Sequence, residues 1–374
     1  MPSQARLFQP IALRGTTLKN RIVVSPMCQY AVRDGMAGEW HKVHLGRFAM
    51  GGAGAVFVEA TAVEPRGRIT HGDLGIWSDD HGKALAGLVQ CIRSLGAEPA
   101  IQLGHAGRKG SMQRPWFGNG PLGQADIARG DRPWDVIAPS AERIGEDWLL
   151  PHALSAAELD ALLENFRSAA ARAVRAGFGL LELHMAHGYL LHQFLSAQSN
   201  KRGDAYGGDL AGRMRFPLLV VKAVREAAGE AVPVFVRISA QEPADPAWSM
   251  ADNLALAAEL KAAGIDAIDC STGGLGGSAT AQPLPRRRGF QVPFAAEIRK
   301  QAGIATMAVG LILDGPQAEA ILADSSADLI AVGREFLRDP NWGLNAALAL
   351  ETEGWDAWPE QSGWWLRRRR VDAG

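Results

Sequence analysis

RIVVSPMCQY, residues 21–30, opens as a short β-branched apolar run and closes in Ser25-Pro26-Met27-Cys28. The ending decides more than the run does. A strand that begins a doubly wound dinucleotide-binding sheet leads into Gly-x-Gly-x-x-Gly, whose glycines let a pyrophosphate approach the backbone at a helix N-terminus. No such turn follows here, so the open doubly wound sheet is the runner-up and a closed barrel the first choice. Seven more runs of the same kind follow: AGAVFVEATAV (53–63), PAIQLGH (99–105), GLLELHMA (179–186), PVFVRIS (233–239), AIDCSTG (267–273), IATMAVG (304–310) and DLIAVGR (328–334). Apolar on both faces, they read as parallel strands covered by helices.

Helical segments are expected near 39–50, 80–95, 155–176, 213–228, 250–263, 292–302, 315–323 and 341–350. Ser155 with Glu158 predicts a capping box, and Gly177 and Gly264 predict left-handed helix ends. LFQPIALRGTTLK (7–19) turns at Arg14-Gly15 and suits a small hairpin ahead of the main fold. The expected architecture is therefore α/β, a single (β/α)8 TIM barrel domain over 1–374 with an N-terminal hairpin. The excess length falls after the third strand (about 106–154) and the fourth (about 187–212), on the face where barrels build their sites. Tyr206, in SNKRGDAYGG, suits a structural lid.

With a formal net charge of -1 over 374 residues, the chain carries no surplus that would make nucleic acid or a membrane its partner. The one basic block, Arg367 to Arg370, suits either a solvated tail or an intersubunit or phosphate contact. Three scattered cysteines (Cys28, Cys91 and Cys270) give neither a disulfide framework nor a thiolate metal cluster. With no secretory leader and no long apolar span, a cytoplasmic location is expected.

A barrel would gather its strand ends into one ring: Cys28, Glu59-Ala60, Gln102, His105, His184, His187, Arg237, Gly273-Gly274, Gly310 and Gly333-Arg334. The ring holds no set of closely placed acids, which disfavours glycosidase and divalent-metal chemistry. Glu182, in mid-strand, suits a buried ion pair. His184 and His187 could ligate zinc with His105 or His192 as a third ligand, hold a substrate oxygen, or be structural. Arg237 ends an apolar strand, so its guanidinium must face an anion or acceptor. Gln102 can donate and accept toward a pyrimidine-like ring. Gly310 and Gly333-Arg334 end the last two strands, where barrels bind phosphate. Cys28 is either packing or a thiol that tunes a redox group, with covalent catalysis second. Tyr30 and Tyr189 fall beside the rim, where a phenol can orient a carbonyl or deliver a proton.

Together SPMCQY (25–30), GGAGAVFVEATAV (51–63), IQLGHAGRK (101–109), ELHMAHGYLLHQFLS (182–196) and SNKRGDAYGG (199–208) make the chain resemble the old yellow enzyme family, in its thiol-containing bacterial ene-reductase branch. The resemblance spans about 6–370. It implies non-covalent FMN at the barrel mouth, with Ser25, Pro26, Met27, Cys28, Ala60, Gln102, His184 and Arg237 around the ring system. Gly310, Gly333 and Arg334 would surround the phosphate. His184 and His187 would hold a carbonyl or nitro oxygen, Tyr189 would donate a proton, Tyr30 would shape the pocket and the Cys28 thiol would adjust the flavin. Lys109 and His105 would line the site or touch cofactor.

The implied activity is NADPH-driven reduction of activated C=C bonds in enones and nitroalkenes, with NADH possible as reductant. The resemblance also implies a homodimer or homotetramer in which the tail, 351–374, lies at a subunit interface. Trp365 or one of Arg367 to Arg370 would there complete the neighbour's pocket. Val309 leaves one side of that pocket open, and EPADPAWS (242–249) is expected to be a specificity loop. A metal-dependent lyase or isomerase on the same barrel, or a non-catalytic flavin-binding protein, are the alternatives.

Overall fold

Eight parallel strands close into a barrel in the computed structural model, which describes residues 5–277, 286–352 and 354–369. They are β1 (Ile22–Val24), β2 (Ala55–Ala62), β3 (Glu98–Gly104), β4 (Leu180–Met185), β5 (Val234–Ser239), β6 (Ala267–Ser271), β7 (Ala305–Ala308) and β8 (Leu329–Val332). Each pairs with its sequence neighbour, and β8 pairs with β1 to complete the circle. The doubly wound alternative is thereby excluded. β1 stops sooner than its apolar run suggested, because Pro26 lacks the N–H that would extend the ladder.

The helices follow the sequence pattern closely. Glu39–Met50, Val292–Ala302 and Gly315–Ala323 span the expected residues. Ser155 and Glu158 form the reciprocal capping box of Ala156–Ala176, which ends at Gly177 with φ of 96°. Four short helices went unforeseen: Gln124–Ala128, Leu190–Leu195, Arg334–Arg338 and Glu360–Leu366. The expected hairpin is present as Ile11–Leu13 against Thr16–Leu18, turning at Arg14-Gly15. Its Leu13 and Leu18 join Val23, Phe57, Leu180, Phe235, Met307 and Leu329 in one apolar cluster. The hairpin thus closes the N-terminal end of the lumen with hydrocarbon.

Because strand side chains alternate, the same inward faces continue upward into a polar tier. Gln102, Glu182, Arg237 and Asp269 are all buried above that apolar floor. The wall outside is the larger core, where β strands meet helix faces through residues such as Val56, Ile101, Leu183 and Val236. Among the described residues no helix is long and apolar enough to cross a membrane.

Candidate active site

At the strand C-termini lies a cleft of about 290 Å³, lined by Ser25, Pro26, Met27, His187, Arg237, Val309, Gly310, Gly333 and Arg334 among others. The barrel brings these sequence-distant residues onto one rim. Gly310 has φ of 110° and Gly333 leads straight into the short helix at Arg334, so backbone N–H groups converge at this end of the cleft.

His184 and His187 leave β4 together. The Ala186 N–H donates to His184 Nδ1 at 3.3 Å, which fixes the proton of a neutral His184 on Nε2. That Nε2 lies 3.3 Å from His187 Nδ1, and His187 Nε2 lies 2.7 Å from Ser271 Oγ. The chain of contacts assigns each imidazole one N–H donor on Nε2. Burial, then the Arg237 charge, hold both histidines well below the ordinary imidazole range. They are neutral donors at pH 7.

His187 adopts φ of 57°, and Gly188 follows at 72°. A Cβ on Gly274 would stand 2.4 Å from His187 Cα, and φ at Gly274 is 103°. The loops after β4 and β6 therefore touch backbone to backbone, an approach only glycine permits. Lys109, 1% exposed, pins both loops, its Nζ donating to His187 O at 3.0 Å and to Gly274 O at 2.6 Å. Burial lowers this lysine to about 7. It lies beneath the turn, 5.4 Å from the Tyr189 ring, and is not part of the cleft lining.

Tyr189 is edge-on to His184 at 4.8 Å, and burial raises its hydroxyl well above the usual phenol range. Behind it a small pocket is lined by Ala60, Ile69, Asp73, His105 and His184. Cys28 packs beside Tyr189, Ile69 and Met112, and burial then the nearby Asp73 raise its thiol well above the usual range. It is therefore a neutral thiol, unsuited to nucleophilic attack in this state. Tyr30, with φ of 53°, stands at the rim against Trp116. The turn carrying both is held by Glu59, which accepts from the Gln29 N–H and lies 2.8 Å from His41 Nε2. A β-bulge between Val58 and Ala60 takes Glu59 out of the ladder.

The other histidines are engaged elsewhere. His105 Nε2 pairs with Glu64 at 2.9 Å, and His192 Nδ1 accepts from the Gly188 N–H at 2.9 Å. Among the described residues no group of three His, Cys, Asp or Glu side chains is placed to hold a metal ion. Trp365 is 69% exposed on the helix Glu360–Leu366 and does not line the cleft of its own chain. Arg367 pairs with Asp356, while Arg370 lies outside the described residues. Arg237 Nη1 reaches Ser25 Oγ at 3.4 Å, and its Nε stands 3.2 Å from Asp269 Oδ2. Sequence reading passed over Ser239, Ser271, Asp73 and Asp269. Only Asp269, a lone acid inside AIDCS, carried a local signal, the same one that exposed Arg237.

Known proteins match the chain in both sequence and fold. The model of the NADH:flavin oxidoreductase / NADH oxidase family matches residues 6–353. The chain belongs to this family. The NADPH dehydrogenase of Bacillus subtilis is 43% identical over 350 residues, covering 93% of this chain and 96% of that protein. That of Halalkalibacterium halodurans is 44% identical over 350 residues, covering 93% and 95%. Among solved structures, morphinone reductase superposes with a TM-score of 0.76 at 28% identity, covering 93% and 90%. The old yellow enzyme homologue of Zymomonas mobilis gives 0.74 at 26% identity, covering 92% of each chain.

Proposed function

We propose that the protein is an ene-reductase that binds FMN non-covalently and uses NADPH, with NADH as an alternative donor, to reduce activated C=C bonds of enones and nitroalkenes. One observation carries this reading: two neutral, donor-bearing imidazoles, His184 and His187, share a rim with the buried guanidinium of Arg237. The residues fit FMN. Arg237 lines the cleft while Asp269 holds its Nε from below, so the rest of its guanidinium is free to face an electron-rich ring edge. Gln102 gives its Nε2 to Glu182 at 2.7 Å and so offers its carbonyl oxygen upward as an acceptor. Ser25, Pro26, Met27, Cys28 and Ala60 would border the ring, and Gly310, Gly333 and Arg334 would hold the phosphate through backbone N–H groups and one guanidinium.

When bound, the flavin supplies hydride exchange between nicotinamide and substrate. The protein does the rest. His184 and His187 transfer their Nε2–H donors from His187 Nδ1 and Ser271 Oγ to the activating oxygen of the substrate. Being neutral and water-shielded, these donors gain strength as negative charge grows on that oxygen. Tyr189, protonated throughout the physiological range, donates to the α-carbon. The Cys28 thiol packs against ring and substrate, and Tyr30 closes the side nearest Trp116. Trp365 or one of the tail arginines would reach a neighbouring subunit in a homodimer or homotetramer. The three cysteines are free thiols, in keeping with a cytoplasmic enzyme.

The test is an anaerobic spectrum of the purified protein. Bound flavin should bleach with NADPH and recover with cyclohexenone. A yellow protein that bleaches but never recovers would reduce the function to that of a flavin carrier, and a colourless one that ignores added FMN would overturn the reading.

A further inference from the structure

Beneath the cleft, two carboxylates face one cation. Glu182 on β4 and Asp269 on β6 are each 0% exposed, and Arg237 on β5 lies between their strands. Arg237 Nε is 3.2 Å from Asp269 Oδ2, while Glu182 Oε1 accepts from Gln102 Nε2 on β3 at 2.7 Å. Glu182 Oε2 and both Asp269 oxygens have no hydrogen-bond partner. Above them on β4 stands neutral His184, and the inward side chains of the remaining strands include the apolar Val23, Phe57, Met307 and Ala331. Two ionised carboxylates against one guanidinium would leave a net negative charge in a dry lumen, which is far more costly than keeping one proton. Arginine does not give up its proton, and Asp269 has the direct ion pair. The proton therefore belongs to Glu182.

We propose that Glu182, with Asp269 and Arg237, is a proton store linked to the oxidation state of the flavin seated above it. The inference rests on the FMN reading. Hydride arriving from the nicotinamide brings two electrons and one proton equivalent to the ring and leaves one added negative charge beside Arg237. The added charge raises the proton affinity of Glu182, so above the pH at which the oxidised enzyme keeps this proton, one from solvent settles on Glu182 and balances the charge. When hydride leaves for the substrate, that charge disappears and, at the same pH, the Glu182 proton returns to solvent. Burial and then Asp269 hold Glu182 well above the ordinary carboxylate range, so the linkage operates far above the pH at which a solvated glutamate titrates.

Two measurements test this. In spectroelectrochemical titration of the holoenzyme, the midpoint potential should fall with pH more steeply than in E182Q, by one proton per two electrons. The reduced flavin should show the anionic spectrum in both, which excludes the ring itself as the second proton's site. Equal slopes would overturn the proposal. In the FMN-free protein, infrared spectra at neutral pH should show a buried carboxylic-acid carbonyl band that E182Q removes. In D269N that band should vanish at lower pH, since Arg237 then favours ionised Glu182. A wild-type protein without the band at neutral pH would sink the proton store, whether or not E182Q folds. A band in protein that refuses FMN would instead sink the flavin reading alone.

Discussion

His184 and His187 owe their character to position, since one imidazole is buried and the other half-buried beside Arg237. Removing either donor should lower enone turnover by about 10²- to 10³-fold, or roughly 3–4 kcal/mol of transition-state stabilisation, while bound flavin remains. Steady-state kinetics beside flavin content would check this, and a fully active double variant would deny the role. The same burial sets an acid limit on stability. His192 is held at about 3 by burial, whereas an unfolded histidine takes its proton near 6.5. Below about pH 6.5 the unfolded chain therefore binds more protons, and stability falls as pH drops toward 3. H192Q should flatten that part of the urea-stability profile, because glutamine can still accept from the Gly188 N–H.

The loops after β4 and β6 act as one element because Gly274 admits the His187 backbone and Lys109 bonds both. G274A should destabilise the fold by on the order of 3 kcal/mol, through a left-handed φ and a direct backbone clash. K109M should be milder, at about 1–3 kcal/mol, and should raise substrate KM as the His187 turn loosens. Denaturant melts and KM measurements separate the two cases. Elements of this kind mark the limit of sequence reading. The eight strands were legible because both faces of each are apolar, and the capping box at Ser155 was legible because its residues are local. Leu190–Leu195 and Arg334–Arg338 were not, since both are single short turns held by tertiary contacts rather than by their own periodicity. Ser239 and Ser271 meet His187 from 52 and 84 residues away, and nothing in their own neighbourhoods announces it. Lys109 was noticed as a residue near the pocket, and its carbonyl partners became visible only once the chain had folded.

The whole molecule carries Trp364 and Trp365 exposed and edge-on at 4.6 Å near its C-terminal end, with Arg368 stacked over Trp364. Exposed aromatics beside arginine are typical anchors of protein interfaces. Replacing both tryptophans with serine should reduce the sedimenting mass and raise substrate KM if the tail completes a neighbour's pocket. A smaller particle with unaltered KM would leave the tail a purely structural contact. At the opposite pole, the hairpin stopper divides labour along the barrel axis. Endurance is vested in the hydrocarbon plug around Leu13 and Leu18, and reactivity in the rim that faces away from it. Trimming Leu18 to alanine should thus soften the protein toward heat yet leave each surviving molecule as quick as before. An engineer could therefore rebuild one pole for durability without retuning the other.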